Sequence, residues 1–82
     1  MMREELAQLA HSQWSGWIKY MFGKCQKTPI GEMIIPQWAV ERWTQQANTR
    51  YCDLTEIEKD SDREEADKFL VILNKFQKCS KR

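Results

Sequence analysis

The sequence predicts an all-α fold: one small domain of three main helices with an irregular connector. Three observations carry that reading. Leu6, Leu9, Ala10, Trp14, Trp17, Ile18 and Met21 recur at steps of three and four. Ala66, Phe69, Leu70, Leu73 and Phe76 repeat the spacing near the C-terminus. Each set lies as one apolar stripe along a helix. Thr55 with Glu58, and Ser61 with Glu64, match the capping box that starts a helix.

The first helix is expected over about 3–22. Gly16 lies inside it at a cost of about 1 kcal/mol relative to alanine, which suggests that another element packs closely over that turn. Gly23 is a plausible stop, because glycine takes the left-handed cap conformation freely. Residues 24–35 read as a connector around Pro29 and Gly31, a turn with one or two strand-like residues. The second helix starts at Pro36, whose missing N–H costs nothing in a first turn, and runs to about 48. Ala39, Trp43 and Ala47 fall at i, i+4 and i+8, with Val40 beside them. A loop over 50–54 follows. One helical turn at 55–60 then leads into a third helix over about 61–78, and residues 79–82 are expected to be frayed. The expected core is Leu9, Trp14, Ile18, Trp43, Leu54, Phe69, Leu70 and Leu73.

Eighty-two residues make one domain, 1–82. Its stability is marginal at this size, and oligomerisation is a natural supplement. The net charge of +1 argues against a dedicated nucleic-acid binder. The charge is uneven. Asp53 to Asp67 holds eight acidic residues and two basic ones, whereas Lys68 to Arg82 holds five basic residues and no acidic one. A helix with its dipole complemented accounts for that pattern; a basic tail that touches phosphate or an acidic partner is the alternative.

Cys25, Cys52, Cys79 and the lone His11 have no metal-ligand spacing. No metal, no cofactor and no catalytic centre is expected. His11 and Ser15 stand one turn apart, but no orienting acid or oxyanion-hole motif accompanies them. No apolar run reaches membrane-spanning length, and no signal peptide is expected. A reducing cytoplasm, with the cysteines as ordinary thiols, fits best.

Four tryptophans are more than so small an interior absorbs, since each large ring covers about 150–250 Å² when buried. Trp14 belongs to the first stripe and Trp17 to its edge. Trp38 and Trp43 point about 140° apart on a helix, so both cannot face one core. The Ala39–Trp43–Ala47 spacing makes Trp43 the inward ring and Trp38 the exposed one. Lys59 and Arg63, one turn apart, either pair with Glu56, Asp60 and Asp67 or clamp a phosphate or carboxylate, with Arg42 joining them.

The ordered set His11-x-x-Trp14, Ile35-Pro36, Tyr51-x-Asp53-Leu54-x-x-x-Glu58-Lys59-x-x-Asp62-Arg63 resembles the RyR domain, the short helical repeat of ryanodine receptors. The resemblance covers about residues 7–70. The segment between Trp17 and Pro36 departs from the receptor repeats. The short chain looks more like small stand-alone bacterial and phage versions. The resemblance implies an all-helical fold without catalytic activity, and Tyr51 locking its loop onto the first helix. It also implies a link to nucleotide-like signals.

Two functions follow as expectations. The first is a ligand-binding module for a nucleotide-like small molecule. Trp17, Trp38 or Tyr51 would supply a stacking face, Arg42, Lys59 and Arg63 the charge, and His11 a further polar contact. In a phage setting such a module would sequester a nucleotide-derived immune signal of the host. A homo-oligomer would place pockets at subunit junctions. The second is a protein–protein module that engages a host protein, an anti-defence role, through Trp38 and Met33-Ile34-Ile35. Nucleic-acid binding through Lys75, Lys78, Lys81 and Arg82 ranks third, against the near-neutral charge.

Overall fold

The computed structural model describes the backbone of residues 1–80 and the side chains of residues 1–77. It is mostly α-helical. The order is α1 (Met2–Lys24), β1 (Gln26–Lys27), β2 (Met33–Ile34), α2 (Gln37–Ala47), a 3-10 turn (Tyr51–Asp53) and α3 (Glu56–Ser80). No helix among the described residues is long and apolar enough to cross a membrane.

The chain forms two compact units. Residues 1–15 and 55 onward make the first, and residues 16–54 the second.

In the first unit the early part of α1 lies antiparallel to α3. Lys75 Nζ donates to Glu5 Oε1 at 3.0 Å, and Gln13 Nε2 donates to the Glu65 carbonyl at 3.3 Å. Leu6, Leu9, Ile72 and Phe76 are half-buried along this seam. Thr55 and Glu58 form the expected capping box. Glu58 N–H donates to Thr55 Oγ1 at 3.2 Å, and Thr55 N–H donates to Glu58 Oε1 at 3.0 Å. Both orphan donors are thus satisfied at one helix start. The Ser61–Glu64 pair caps nothing, because α3 already runs from Glu56 as one helix. Its C-terminal end reaches Ser80, so Cys79 and Ser80, expected to fray, belong to the helix; residues 81 and 82 of that expected frayed end lie outside the described residues.

In the second unit the connector closes into a minimal antiparallel ribbon, with Gln26 opposite Ile34 and Lys27 opposite Met33. Its turn is tied by Thr28. The Thr28 N–H donates to the Glu32 carbonyl at 2.8 Å, and the Gly31 N–H to the Thr28 carbonyl at 3.0 Å. Gly31 has φ +91°, a conformation that side-chain-bearing residues avoid. Pro36 is the cap of α2 and not its first residue, with an extended ψ of 152°. Its carbonyl still accepts the Ala39 and Val40 N–H groups. At the other end Thr49 Oγ1 donates to the Gln45 carbonyl at 2.6 Å.

Three expectations are corrected. Gly23 does not stop α1, which runs on to Lys24. Gly16 has no element packed over it, since nothing lies within 4 Å of where a Cβ would stand. Gly16→Ala should therefore stabilise the protein by about 1 kcal/mol, read as a higher thermal midpoint by helical dichroism. The third correction concerns the core. Ala39 is the one fully buried hydrophobic residue among those described. Leu9, Ile18, Trp43 and Leu54 are half-buried. Trp14 is 61% exposed and Leu70 50%, and Phe69 and Leu73 are also exposed. The reason is geometric. A hairpin of two helices covers one seam, and Trp14, Leu70 and Leu73 stand about 80–140° around their helices from it.

Candidate functional site

Four aromatic rings gather in the second unit. Trp43, on α2, is at their centre. Its ring centroid lies 5.0 Å from that of Trp17, edge to face. It lies 6.5 Å from Tyr20 and 6.3 Å from Trp38, again edge to face. Trp17 and Tyr20 stack at 5.7 Å. Edge-to-face contact suits the ring quadrupole, positive edge on negative face.

Trp43 is half-buried, whereas Trp17 is 44%, Tyr20 48% and Trp38 48% exposed. Three rings of one cluster are therefore partly open to solvent. Trp38 and Trp43 still touch although they are five residues apart. Large rings can lean across the angle between their Cα–Cβ bonds.

The cluster carries cations at its margin. Lys24 Nζ sits 5.3 Å from the Tyr20 ring centroid, within the range of cation–π attraction. Arg42 is exposed and one helical turn from Trp38, so the two share a side of α2. The Arg42 side chain makes no hydrogen bond or ion pair among the described residues. Tyr20 and Lys24 did not figure in the sequence reading. Their spacing after Trp17, three and then four residues, is the signal that would have found them. Tyr51 is exposed in the 3-10 turn, where Arg50 pairs with Asp53 at 3.2 Å.

The other expected site residues lie in the first unit. Arg63 Nη1 bonds Asp60 Oδ1 at 2.8 Å and Glu56 Oε1 at 3.1 Å. Lys59 Nζ is 3.6 Å from Glu56 Oε2. Glu56 is held below its ordinary carboxylate value of 4.5, first by the Arg63 hydrogen bond and then by the Arg63 and Lys59 charges. Glu65 is lowered chiefly by its hydrogen bond from Lys68. The acidic run thus ties both cations of the expected clamp to its own carboxylates. Lys75 is engaged with Glu5, and Lys78, Lys81 and Arg82 lie outside the described side chains.

His11 Nε2 stands 3.4 Å from Ser15 Oγ and stacks on Trp14 at 6.3 Å. It is exposed and makes no contact with a carboxylate among the described residues. No group of three or more metal-ligating side chains occurs among the described residues.

In comparisons with known proteins the chain matches no family model, no curated protein and no solved structure. The likeness to the RyR domain rests on the quoted residues alone.

Proposed function

We propose that this chain is a non-catalytic binding module whose recognition surface is the aromatic cluster around Trp43, and that it takes a planar anionic ligand of the nucleotide class. One observation carries the reading. Trp38 offers a half-exposed ring on the same side of α2 as Arg42, a cation with no carboxylate of its own. A base stacked on tryptophan gains about 1–3 kcal/mol, and a guanidinium holds phosphate oxygens in a fixed fork. Sequestering a nucleotide-derived signal asks for affinity and no chemistry.

Arg42 takes the charge role here in preference to Lys59 and Arg63, which the acidic run already engages. Calorimetric titration with cyclic dinucleotides and ADP-ribose-type molecules tests the reading. Arg42→Ala should weaken binding about ten- to hundredfold, from the about 1.5–3 kcal/mol of a charge-assisted contact. Arg63→Ala should leave it nearly unchanged. No heat with either ligand class defeats the proposal.

A protein partner is the second reading. It is favoured by the exposure of Met33, Ile34 and Ile35 just before Trp38, since contiguous exposed apolar patches mark protein interaction sites and tryptophan is a frequent hot-spot residue. Retention of a host protein that Ile34→Asp abolishes, with no ligand heat, would select it.

A further inference from the structure

The aromatic unit repeats one arrangement, a ring followed one helical turn on by a cation. On α2, Arg42 stands four residues after Trp38. On α1, Lys24 stands four residues after Tyr20, and Trp17 shares that stripe at seven residues before Lys24. No other ring of residues 16–54 has a lysine or arginine three or four places on. The two pairs reach Trp43 separately. Trp17 and Tyr20 touch each other and Trp43, whereas Trp38 touches Trp43 alone among the described rings. With Trp43 at 6.3 Å from Trp38 and 6.5 Å from Tyr20, those two centroids lie between about 7 and 13 Å apart.

Neither cation is engaged by a carboxylate. Lys24 Nζ rests 5.3 Å from the Tyr20 centroid and makes no ion pair among the described residues. Glu41, next to Arg42 in the chain, accepts instead from Gln37 Nε2 at 3.1 Å. The charge of the unit points the same way. Residues 16–54 hold five basic and three acidic residues, whereas the rest of the chain holds eight basic and nine acidic.

We infer that the cluster takes two linked nucleotides and not one, an inference that rests on the nucleotide reading above. One base stacks at Trp38 with its phosphate on Arg42. The other stacks at the Trp17–Tyr20 pair with its phosphate on Lys24. Successive bases stack on successive aromatic rings while cations hold the backbone between them, and the bases of an unpaired strand are free to splay onto separate rings. Trp38 and Tyr20 are too far apart for one base to serve both, so a mononucleotide engages one ring–cation pair at a time. The flexible four-carbon stem of Lys24 lets its ammonium leave the Tyr20 face for a phosphate. Two such pairs set the ligand at two nucleotides, a small molecule and not a long strand.

Titration of the full chain with AMP, the linear dinucleotide pApA and an octa-adenylate tests this, with quenching of tryptophan emission as the readout. The dinucleotide should bind at least about tenfold tighter than AMP. Lys24→Ala should weaken pApA about tenfold and AMP by no more than about twofold, because AMP keeps the Trp38–Arg42 pair. Lys24→Arg should keep the preference for pApA. Should Lys24→Ala lose the parent's helical dichroism, the parent's ratio of the two affinities decides. A dinucleotide that binds no tighter than AMP, or a preference that Lys24→Ala leaves intact, overturns the inference while the nucleotide site stands. An octa-adenylate that binds about tenfold or more tighter than pApA overturns it in favour of a single strand. Silence with all three ligands removes the inference and the nucleotide reading together.

Discussion

Ala39→Asp should unfold the aromatic unit. Ala39 is 0% exposed, and its methyl group has no water on any side. A carboxyl group there would be left without a partner. Breaking a buried ion pair to leave one charge uncompensated costs about 3–5 kcal/mol, and the same penalty applies here. The third position of a helix normally welcomes an acid, by about 0.3–1 kcal/mol through the dipole. That acid usually also accepts the cap residue's N–H. Here the cap is Pro36, which has none, so the compensation is incomplete. Proteins of this size have about 4–12 kcal/mol in total, so the loss is a large fraction. Near-ultraviolet dichroism from the tryptophans should collapse and their emission shift to the red. Ala39→Ser is the comparison. Its hydroxyl can return a hydrogen bond to the preceding turn, and the variant should keep most of the parent's signal. An Ala39→Asp protein with the parent's near-ultraviolet spectrum would show that this position is wet.

The same residue shows what the sequence made legible. The i, i+4 spacing of Ala39 and Trp43 identified the inward side of α2, and the structure buries Ala39 and half-buries Trp43 on it. Helix identity was legible wherever apolar periodicity and a cap coincided. Thr55–Glu58 is the clearest instance, because a capping box is a local hydrogen-bond pattern that tertiary contacts need not supply. Ser61–Glu64 has the same letters and no role. Two candidate starts six residues apart cannot both operate in one continuous helix, and the earlier one begins α3.

Periodicity is blind to what covers a stripe. Phe69, Leu70 and Leu73 follow helical spacing as well as Ile72 and Phe76 do. The expectation that they are core assumed a closed interior around α3. In the first unit only α1 lies against that helix, so the stripe divides into a covered seam and an open side. Gly16 misled for a related reason. A helical glycine suggests close approach, yet the space beside it is empty. The aromatic cluster was half legible. Surplus tryptophan predicted exposed rings, but the central place of Trp43 depends on the lean of side chains that helical wheel angles do not contain. The charge clamp was not settled by the sequence, since cations one turn apart in an acidic run fit ion pairing first and ligand capture second. Arg63 at 2.8 Å from Asp60 and 3.1 Å from Glu56 shows the former in place.

Trp43→Ala should be the most damaging truncation in the protein. It removes one ring but three ring contacts, at 5.0, 6.3 and 6.5 Å between centroids. Replacing a fully buried tryptophan by alanine costs about 3–5 kcal/mol. Trp43 is half-buried, which places the expected loss near the lower end, about 3 kcal/mol. Edge-to-face contacts are worth about 0.5–1.5 kcal/mol beyond area. Trp43→Phe keeps a ring edge against Trp17 and should recover about half of the loss. For a chain of this length about 1 kcal/mol moves the thermal midpoint by about 4–8 °C, so the two variants separate well. A double-mutant cycle with Trp17→Ala isolates the pair, because each single change removes the same contact. A coupling of at least about 0.5 kcal/mol is expected. If Trp43→Ala melts with the parent and shows no coupling to Trp17, the rings do not hold the second unit together. The Trp38 face would then have no rigid support for a ligand.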